Sequence, residues 1–416
     1  MTKKNTITVF EHESLRLSDD KLSQGQLESL QAFYGEKGVP YFSLIHKGIK
    51  FNSFVGVLQV GATIIEVLPK ADGIDSDAGW REALIGMMRS VGIFNIQAPS
   101  RSSLQVKTNS ILDLYFELFI NQVEYLLHSG LVKKYRKVEG NKNALKGRIK
   151  FSKHISKNVV HKERFYVCHT TYDNHHQLHS ILFKAIKLLQ RTNSNPLLSN
   201  RLGVLNLDFP EMPDIKVTES LFSKIQYNKK TEKYRNAIEI ARLLLLNYHP
   251  DVRRGQNHVL ALMFNMNLLW EKFVYVSLRK HKLSGTVIES QTEKKFWKPD
   301  SGRRTTMKPD IVIKTDRDDC IVLDTKWKNL NGKNPSPDDL RQMYVYMNYY
   351  EANKVALLYP GGCDTSIAGR YFKETLSVTG EKECSMISLG VNENIAQWQY
   401  SINSYINEWI SGRTLE

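Results

Sequence analysis

The run Lys308-Pro309-Asp310-Ile311-Val312-Ile313, followed after a short polar turn by Cys320-Ile321-Val322-Leu323-Asp324-Thr325-Lys326, constrains the fold of this chain more than any other stretch. Each half reads as a buried strand. Yet each carries a carboxylate, and a charge inside an apolar run is costly unless something pairs with it. The turn Thr315-Asp316-Arg317-Asp318-Asp319 joins the halves into an expected hairpin. Side chains alternate along a strand, so Val322, Asp324 and Lys326 share one face while Ile321, Leu323, Thr325 and Trp327 share the other. Asp310, Asp324 and Lys326 are therefore expected to converge. A surface hairpin with solvated charges is the competing reading.

Two carboxylates suit Mg²⁺ or Mn²⁺, which takes a few protein ligands and leaves water and phosphate to complete the shell. An ammonium two residues beyond the second carboxylate is placed to orient attacking water and to offset charge on a phosphate. The expected chemistry is phosphodiester hydrolysis. The spacing Pro-Asp, then Asp-x-Lys, resembles the PD-(D/E)xK nuclease motif. Letters alone discriminate poorly, because Pro299-Asp300 and Glu293-Lys294-Lys295 are decoys in the same chain. Asp300 runs into the turn-like Ser301-Gly302-Arg303-Arg304, whereas Asp310 runs into Ile311-Val312-Ile313.

A helix is expected after Ser336-Pro337-Asp338-Asp339, where Ser caps, Pro fits the first helical position and the acids complement the dipole. Within it Asp339, Gln342 and Tyr346 fall on one stripe, and Lys354 to Tyr359 reads as the next strand of the same sheet. Gln342 and Tyr346 resemble the helix signature of the exonuclease-like branch of that superfamily; an ordinary amphipathic helix fits the same letters. Upstream, His258 to Val274 is apolar around most of its circumference and is expected to be one buried helix. Glu271 is its exception. It is a candidate third metal ligand, or a helix-edge carboxylate paired with Lys272 or Lys294.

The chain of 416 residues carries a formal charge of +15, which favours a polyanionic partner. Between Lys133 and Arg164 stand twelve Lys and Arg against only Glu139 and Glu163. Such a segment binds phosphates without reading sequence, though a solvated surface or an acidic protein partner also accounts for it. No apolar stretch is long enough to span a bilayer and the start Met1-Thr2-Lys3-Lys4-Asn5 is not a secretory signal, so no membrane partner and a cytoplasmic location are expected. Cys168, Cys320, Cys363 and Cys384 lack Cys-x-x-Cys spacing and read as free thiols. His175 and His179 fit one helix face, but no acid completes a zinc motif.

The expected fold class is α/β, in the α+β multidomain sense. Residues 1–100 read as a β-rich N-terminal partner-interaction domain, with a hairpin from Val55–Val60 and Thr63–Lys70. Gly56 to Thr63 is a near miss to a phosphate-binding loop, since Ala62 stands where Lys is required and a strand follows where a helix is needed. Residues 101–255 read as a mixed α/β middle region holding the basic segment, with helices at Ile111–Leu127, Gln177–Gln190 and Thr231–Tyr248 and a loop at Asp208–Val217. Residues 256–416 read as a PD-(D/E)xK restriction-endonuclease-like mixed sheet flanked by helices.

The ordered series Val57-Leu58-Gln59-Val60, Ile65 to Lys70, Leu145-Lys146-Gly147-Arg148-Ile149, Trp270-Glu271-Lys272-Phe273-Val274, Pro309-Asp310, Asp324-Thr325-Lys326 and Gln342 to Tyr346 resembles the McrC family, the nuclease subunits of McrBC-type restriction systems. That resemblance implies a DNA endonuclease subunit that joins a separate McrB-like AAA+ GTPase hexameric ring, stimulates its hydrolysis and cuts DNA. It places catalysis on Asp310, Asp324 and Lys326, with Glu271 accessory and Gln342 and Tyr346 orienting substrate or Lys326. Asp310, Asp324 and Glu271 are the implied metal ligands. His179 departs from the Asn expected there. A regulatory adaptor of an AAA+ ring without cutting activity and a stand-alone repair-type nuclease are the alternatives.

Overall fold

The computed structural model describes residues 6–19, 21–36, 38–92, 111–249, 258–282, 285–315, 319–330, 332–372 and 379–412. Two units divide the chain, one within 96–262 and the other formed by 5–95 together with 263–416. The two stretches that the sequence reading separates as N-terminal and C-terminal domains thus lie in one unit. The expected boundaries near 100 and 255 fall outside the described residues.

In the discontinuous unit, strands Phe54–Val60 and Thr63–Leu68 form the expected hairpin, turned at Gly61 with φ of +57°, and Thr6–Phe10 runs parallel to the second of them. The near-miss phosphate loop is therefore a strand, a tight turn and a second strand. A small sheet of Ser14–Arg16, Gly48–Phe51 and Phe42–Ile45 lies in the same unit. Two helices that alternation of apolar residues does not announce, Gln24–Tyr34 and Asp77–Ser90, are set by their caps: the Ser23 and Ser76 hydroxyls accept from the backbone N–H groups of Gln26 and Gly79.

The C-terminal part holds a six-stranded mixed sheet in the order Thr286–Ser290, Ile311–Thr315, Cys320–Thr325, Lys354–Gly361, Thr379–Gly390 and Thr365–Phe372. Ile311–Thr315 and Cys320–Thr325 are antiparallel neighbours, with Ile311 opposite Leu323. Residues 316–318 of the expected turn lie outside the described residues, and Thr315 N–H donates to Asp319 O across the turn's ends. Helix Pro337–Tyr349 begins as its letters require, with the Ser336 hydroxyl accepting from Asp339 N–H and Pro at the first turn. Lys354–Gly361 then returns parallel to Cys320–Thr325, completing a βαβ crossover. Val312, Val322, Val355, Leu357 and Tyr359 form one core with Met343, Tyr346 and Met347 of the helix.

One expectation is corrected. His258 to Val274 is not a single helix: Val259–Asn265 is a strand and Met266–Lys280 the helix. Asn265 makes the break, its side-chain oxygen accepting from the N–H groups of Asn267 and Leu268. An apolar run of this length has no periodicity that separates a buried strand from a buried helix, and the cap decides.

The 96–262 unit packs helices Ile111–His128, Gln177–Thr192, Pro196–Asp208 and Arg235–Leu246 around an apolar core. The expected helix at Thr231–Tyr248 is shorter, with a 3-10 turn at Glu232–Tyr234 before it and Tyr248–His249 extended after it. The basic segment forms a sheet, Lys134–Lys142 and Arg148–Ile149 flanking Phe165–Asp173, plus helix Phe151–Asn158. Its Gly147 has φ of +77°, and a Cβ there would stand 2.5 Å from Cys168 O. His179 serves structure: Nδ1 donates to Asn174 O at 2.6 Å, so Nε2 accepts from the Tyr234 hydroxyl at 3.0 Å. All four cysteines are free, and no helix among the described residues is long and apolar enough to cross a membrane.

Candidate active site

Asp310 immediately precedes strand Ile311–Thr315, and its carboxylate turns to the end of the neighbouring strand. Oδ2 accepts from both the N–H and the hydroxyl of Thr325, each at 2.7 Å. Extending the register by one pair sets Asp310 opposite Asp324. Asp324 is 2% exposed. Lys326 Nζ stands 2.7 Å from Asp324 Oδ2 as an ion pair. That ammonium also donates to Gln342 Oε1 at 3.3 Å, while Gln342 Nε2 donates to the Tyr346 hydroxyl at 2.9 Å and that hydroxyl donates to Lys308 O at 3.3 Å. The stripe Asp339, Gln342 and Tyr346 thus faces Lys326, with Asp339 Oδ1 4.0 Å from Nζ.

Glu271, on helix Met266–Lys280, is 8% exposed and its Oε1 accepts from Gln291 Nε2 at 2.6 Å. Lys294, the alternative partner, instead donates to Tyr349 O and lies 4.6 Å from the Tyr350 ring centre. Gln291 was not foreseen. It lies in an irregular stretch with no motif around it, and besides the bond to Glu271 its N–H donates to Asp310 O at 2.9 Å. Thr325 was hidden too, as the unspecified residue of Asp-x-Lys.

The electrostatics register crowded negative charge. Burial first, and then the Asp310 carboxylate, push Glu271 up to about 7, with Asp324 adding and the Gln291 bond opposing. Asp324 is likewise pushed up by burial and by Asp310, against the pull of Lys326. Burial would lower Lys326, but the charges of Asp324, Asp339 and Asp310 outweigh it and hold the ammonium above its ordinary range. Asp339 is held by Lys328 at 2.5 Å, which leaves Asp310, Asp324 and Glu271 as the crowded carboxylates with Lys326 paired to Asp324. A divalent cation would relieve that excess, with Asp310 and Asp324 the carboxylates placed side by side to ligate one. Among the described residues no three His, Cys, Asp or Glu side chains are gathered closely enough to hold a metal, so Asp310, Asp324 and Glu271 do not form a ready three-ligand set.

Next to the site in sequence, Trp327 is anchored by another buried carboxylate, Glu11. Trp327 follows Lys326, and its indole N–H donates to Glu11 Oε1 at 2.6 Å. Its ring meets Trp80 and Trp270 edge-on, at 6.3 and 5.4 Å between centres. Glu11 also accepts from Lys70 N–H at 2.8 Å.

The family described as McrBC 5-methylcytosine restriction system component matches residues 49–360. No curated protein matches the chain. Among solved structures, a refined half-complex from a tetradecameric assembly of Thermococcus gammatolerans McrB AAA+ hexamers with bound McrC is similar with a TM-score of 0.74 at 20% identity, covering 97% of this chain and 100% of that one. The Thermococcus gammatolerans McrBC complex is similar with a TM-score of 0.51 at 20% identity over 66% and 88% of the two chains. With three quarters of its length inside the family match, the chain belongs to the McrBC 5-methylcytosine restriction system component family.

Proposed function

We propose that the chain is the DNA endonuclease subunit of an McrBC-type modification-dependent restriction complex, working with a separate McrB-like AAA+ GTPase ring. The observation that carries the reading is the meeting of Asp310 and Asp324 at the ends of two neighbouring strands, with Lys326 against Asp324 and with Glu271 buried near enough to feel the charge of both carboxylates. Its support for a ring partner comes from the similar fold found in an assembly of McrB hexamers with bound McrC.

Asp310 and Asp324 would hold Mg²⁺ or Mn²⁺, which supplies positive charge to the scissile phosphate and acidity to water. Lys326 stays protonated under the pull of its acidic neighbours, so it offers charge and hydrogen bonds to the phosphate oxygens instead of accepting a proton. Glu271, with a proton affinity near neutrality, is suited to taking the proton from attacking water. Gln342 and Tyr346 fix the Lys326 ammonium by the hydrogen-bond relay that ends on Lys308 O.

The test is digestion of methylated and unmethylated DNA by the complex assembled with its motor partner. Cutting that needs both GTP and Mg²⁺, and stops with a chelator, supports the reading. Stimulated GTP hydrolysis with intact DNA would leave the chain a regulatory adaptor, and cutting by the chain alone would make it a stand-alone nuclease.

A further inference from the structure

Between Gln291 and Asp310 the chain leaves the six-stranded sheet and forms a separate two-stranded ribbon, Lys294–Trp297 against Thr305–Met307, with Lys294 opposite Met307. Both feet of this ribbon stand on the candidate site. Gln291 bonds Glu271 with its side chain and Asp310 with its N–H, and Met307 leads through Lys308-Pro309 into Asp310. The base is held firmly. The Tyr350 hydroxyl lies 2.7 Å from Thr292 O and 3.1 Å from Met307 O, the Tyr349 hydroxyl donates to Lys295 O at 2.5 Å, and Phe296 meets the Tyr349 ring edge-on at 5.6 Å.

Beyond that base the ribbon has no visible structural employment. Lys295, Lys298, Arg303 and Arg304 are exposed, and among the described residues none of them forms an ion pair. Lys308 and Lys314, nearby, are paired with Glu293 and Glu289. Asp300 is the single acid between residues 294 and 307. Trp297 is 59% exposed on the same ribbon. Unpaired cations flanking an uncovered indole match a polyanion that also offers flat apolar faces. A two-stranded ribbon is also narrow enough to enter the major groove of a duplex.

We propose that this ribbon grips DNA beside the bond to be cut, its four free cations on backbone phosphates and Trp297 against the sugars and bases between them. The inference rests on the nuclease reading and adds to it the surface that sets the substrate's position. A rigid base tied to Gln291 and Asp310 transmits that position to Glu271 and the paired carboxylates.

The experiment uses the complex with its motor partner and a short fluorescein-labelled duplex, with chelator present so that nothing is cut. Anisotropy is followed against salt. Arg303→Ala with Arg304→Ala is expected to reduce the slope of log affinity against log salt by about 2. Trp297→Ala is expected to weaken binding about 5- to 100-fold, and Trp297→Phe to remove most of the tryptophan fluorescence change on adding duplex. Unaltered slope and affinity in these variants would overturn the proposal, as would weaker binding of the motor partner with DNA affinity unchanged. Cutting in Mg²⁺ separates the two levels of inference. A wild-type complex that binds through the ribbon but never cuts removes the nuclease reading alone. Wild type and ribbon variants that bind and cut identically remove the ribbon alone.

Discussion

Replacing Asp310 by Ala and by Asn separates two jobs of one carboxylate. Its Oδ2 receives two hydrogen bonds at 2.7 Å from Thr325, a residue 6% exposed. Alanine leaves both donors without partner or ready water. At about 1–3 kcal/mol for each unsatisfied buried group, and with the hydroxyl free to rotate, the loss is about 2–4 kcal/mol. Asparagine keeps an oxygen in the same place and costs about 1 kcal/mol or less. Both substitutions remove the charge, so both should lower cleavage at least about 100-fold. Urea unfolding of the chain measures the first quantity and plasmid cutting by the complex the second, with stimulated GTP hydrolysis as the control for assembly. An Asn variant that cuts like wild type would refute the role of Asp310 in catalysis. Ala and Asn variants of equal stability would refute the account of how Asp310 ties the two strand ends.

Glu11 is 1% exposed and burial pushes it up to about 7, against bonds from Lys70 N–H and Trp327. Its contribution to stability is complete below the unfolded value near 4.5 and is lost as pH rises through about 7, an effect of about 3 kcal/mol. Glu11→Gln should therefore unfold at higher denaturant than wild type at about pH 8 and at the same denaturant at about pH 4; a variant weaker than wild type at the higher pH contradicts this. Glu271 and Asp324 are raised in the same sense, so metal-free protein loses stability as they ionise and a bound cation restores it. Mg²⁺ should raise the melting temperature more at about pH 8 than at about pH 6, and not at all in Asp324→Asn; an equal shift at both pH values would argue against carboxylate ligation. Gln342→Ala, which removes the acceptor holding Lys326 and the donor to Tyr346, should slow cutting about 10- to 100-fold with stimulated GTP hydrolysis unchanged. Loss of both activities would place Gln342 in assembly.

Much of the site was legible because its elements are local and strongly marked. The Pro-Asp strand, the Asp-x-Lys strand and the Ser336-capped helix each announce themselves by an apolar run or by cap chemistry; the two strands pair as antiparallel neighbours, and the helix crosses over to the next parallel strand of the same sheet. What stayed hidden depends on partners distant in sequence. Glu11 meets Trp327 across 316 positions, and Gln291 reaches Glu271 from an irregular stretch. The strand at Val259–Asn265 was lost for another reason: it abuts a helix of the same apolar character, and only Asn265 marks the join. The ribbon at Lys294–Met307 was read as decoy letters, since charge and exposed aromatics acquire meaning only once the fold sets them beside Asp310.

Anomalous diffraction from crystals of the chain soaked in Mn²⁺ addresses the metal directly. One Mn²⁺ within about 2.1 Å of oxygens from both Asp310 and Asp324 is the predicted result. Manganese elsewhere, or none at concentrations that support cutting, would contradict the claim that these paired carboxylates gather the ion for hydrolysis.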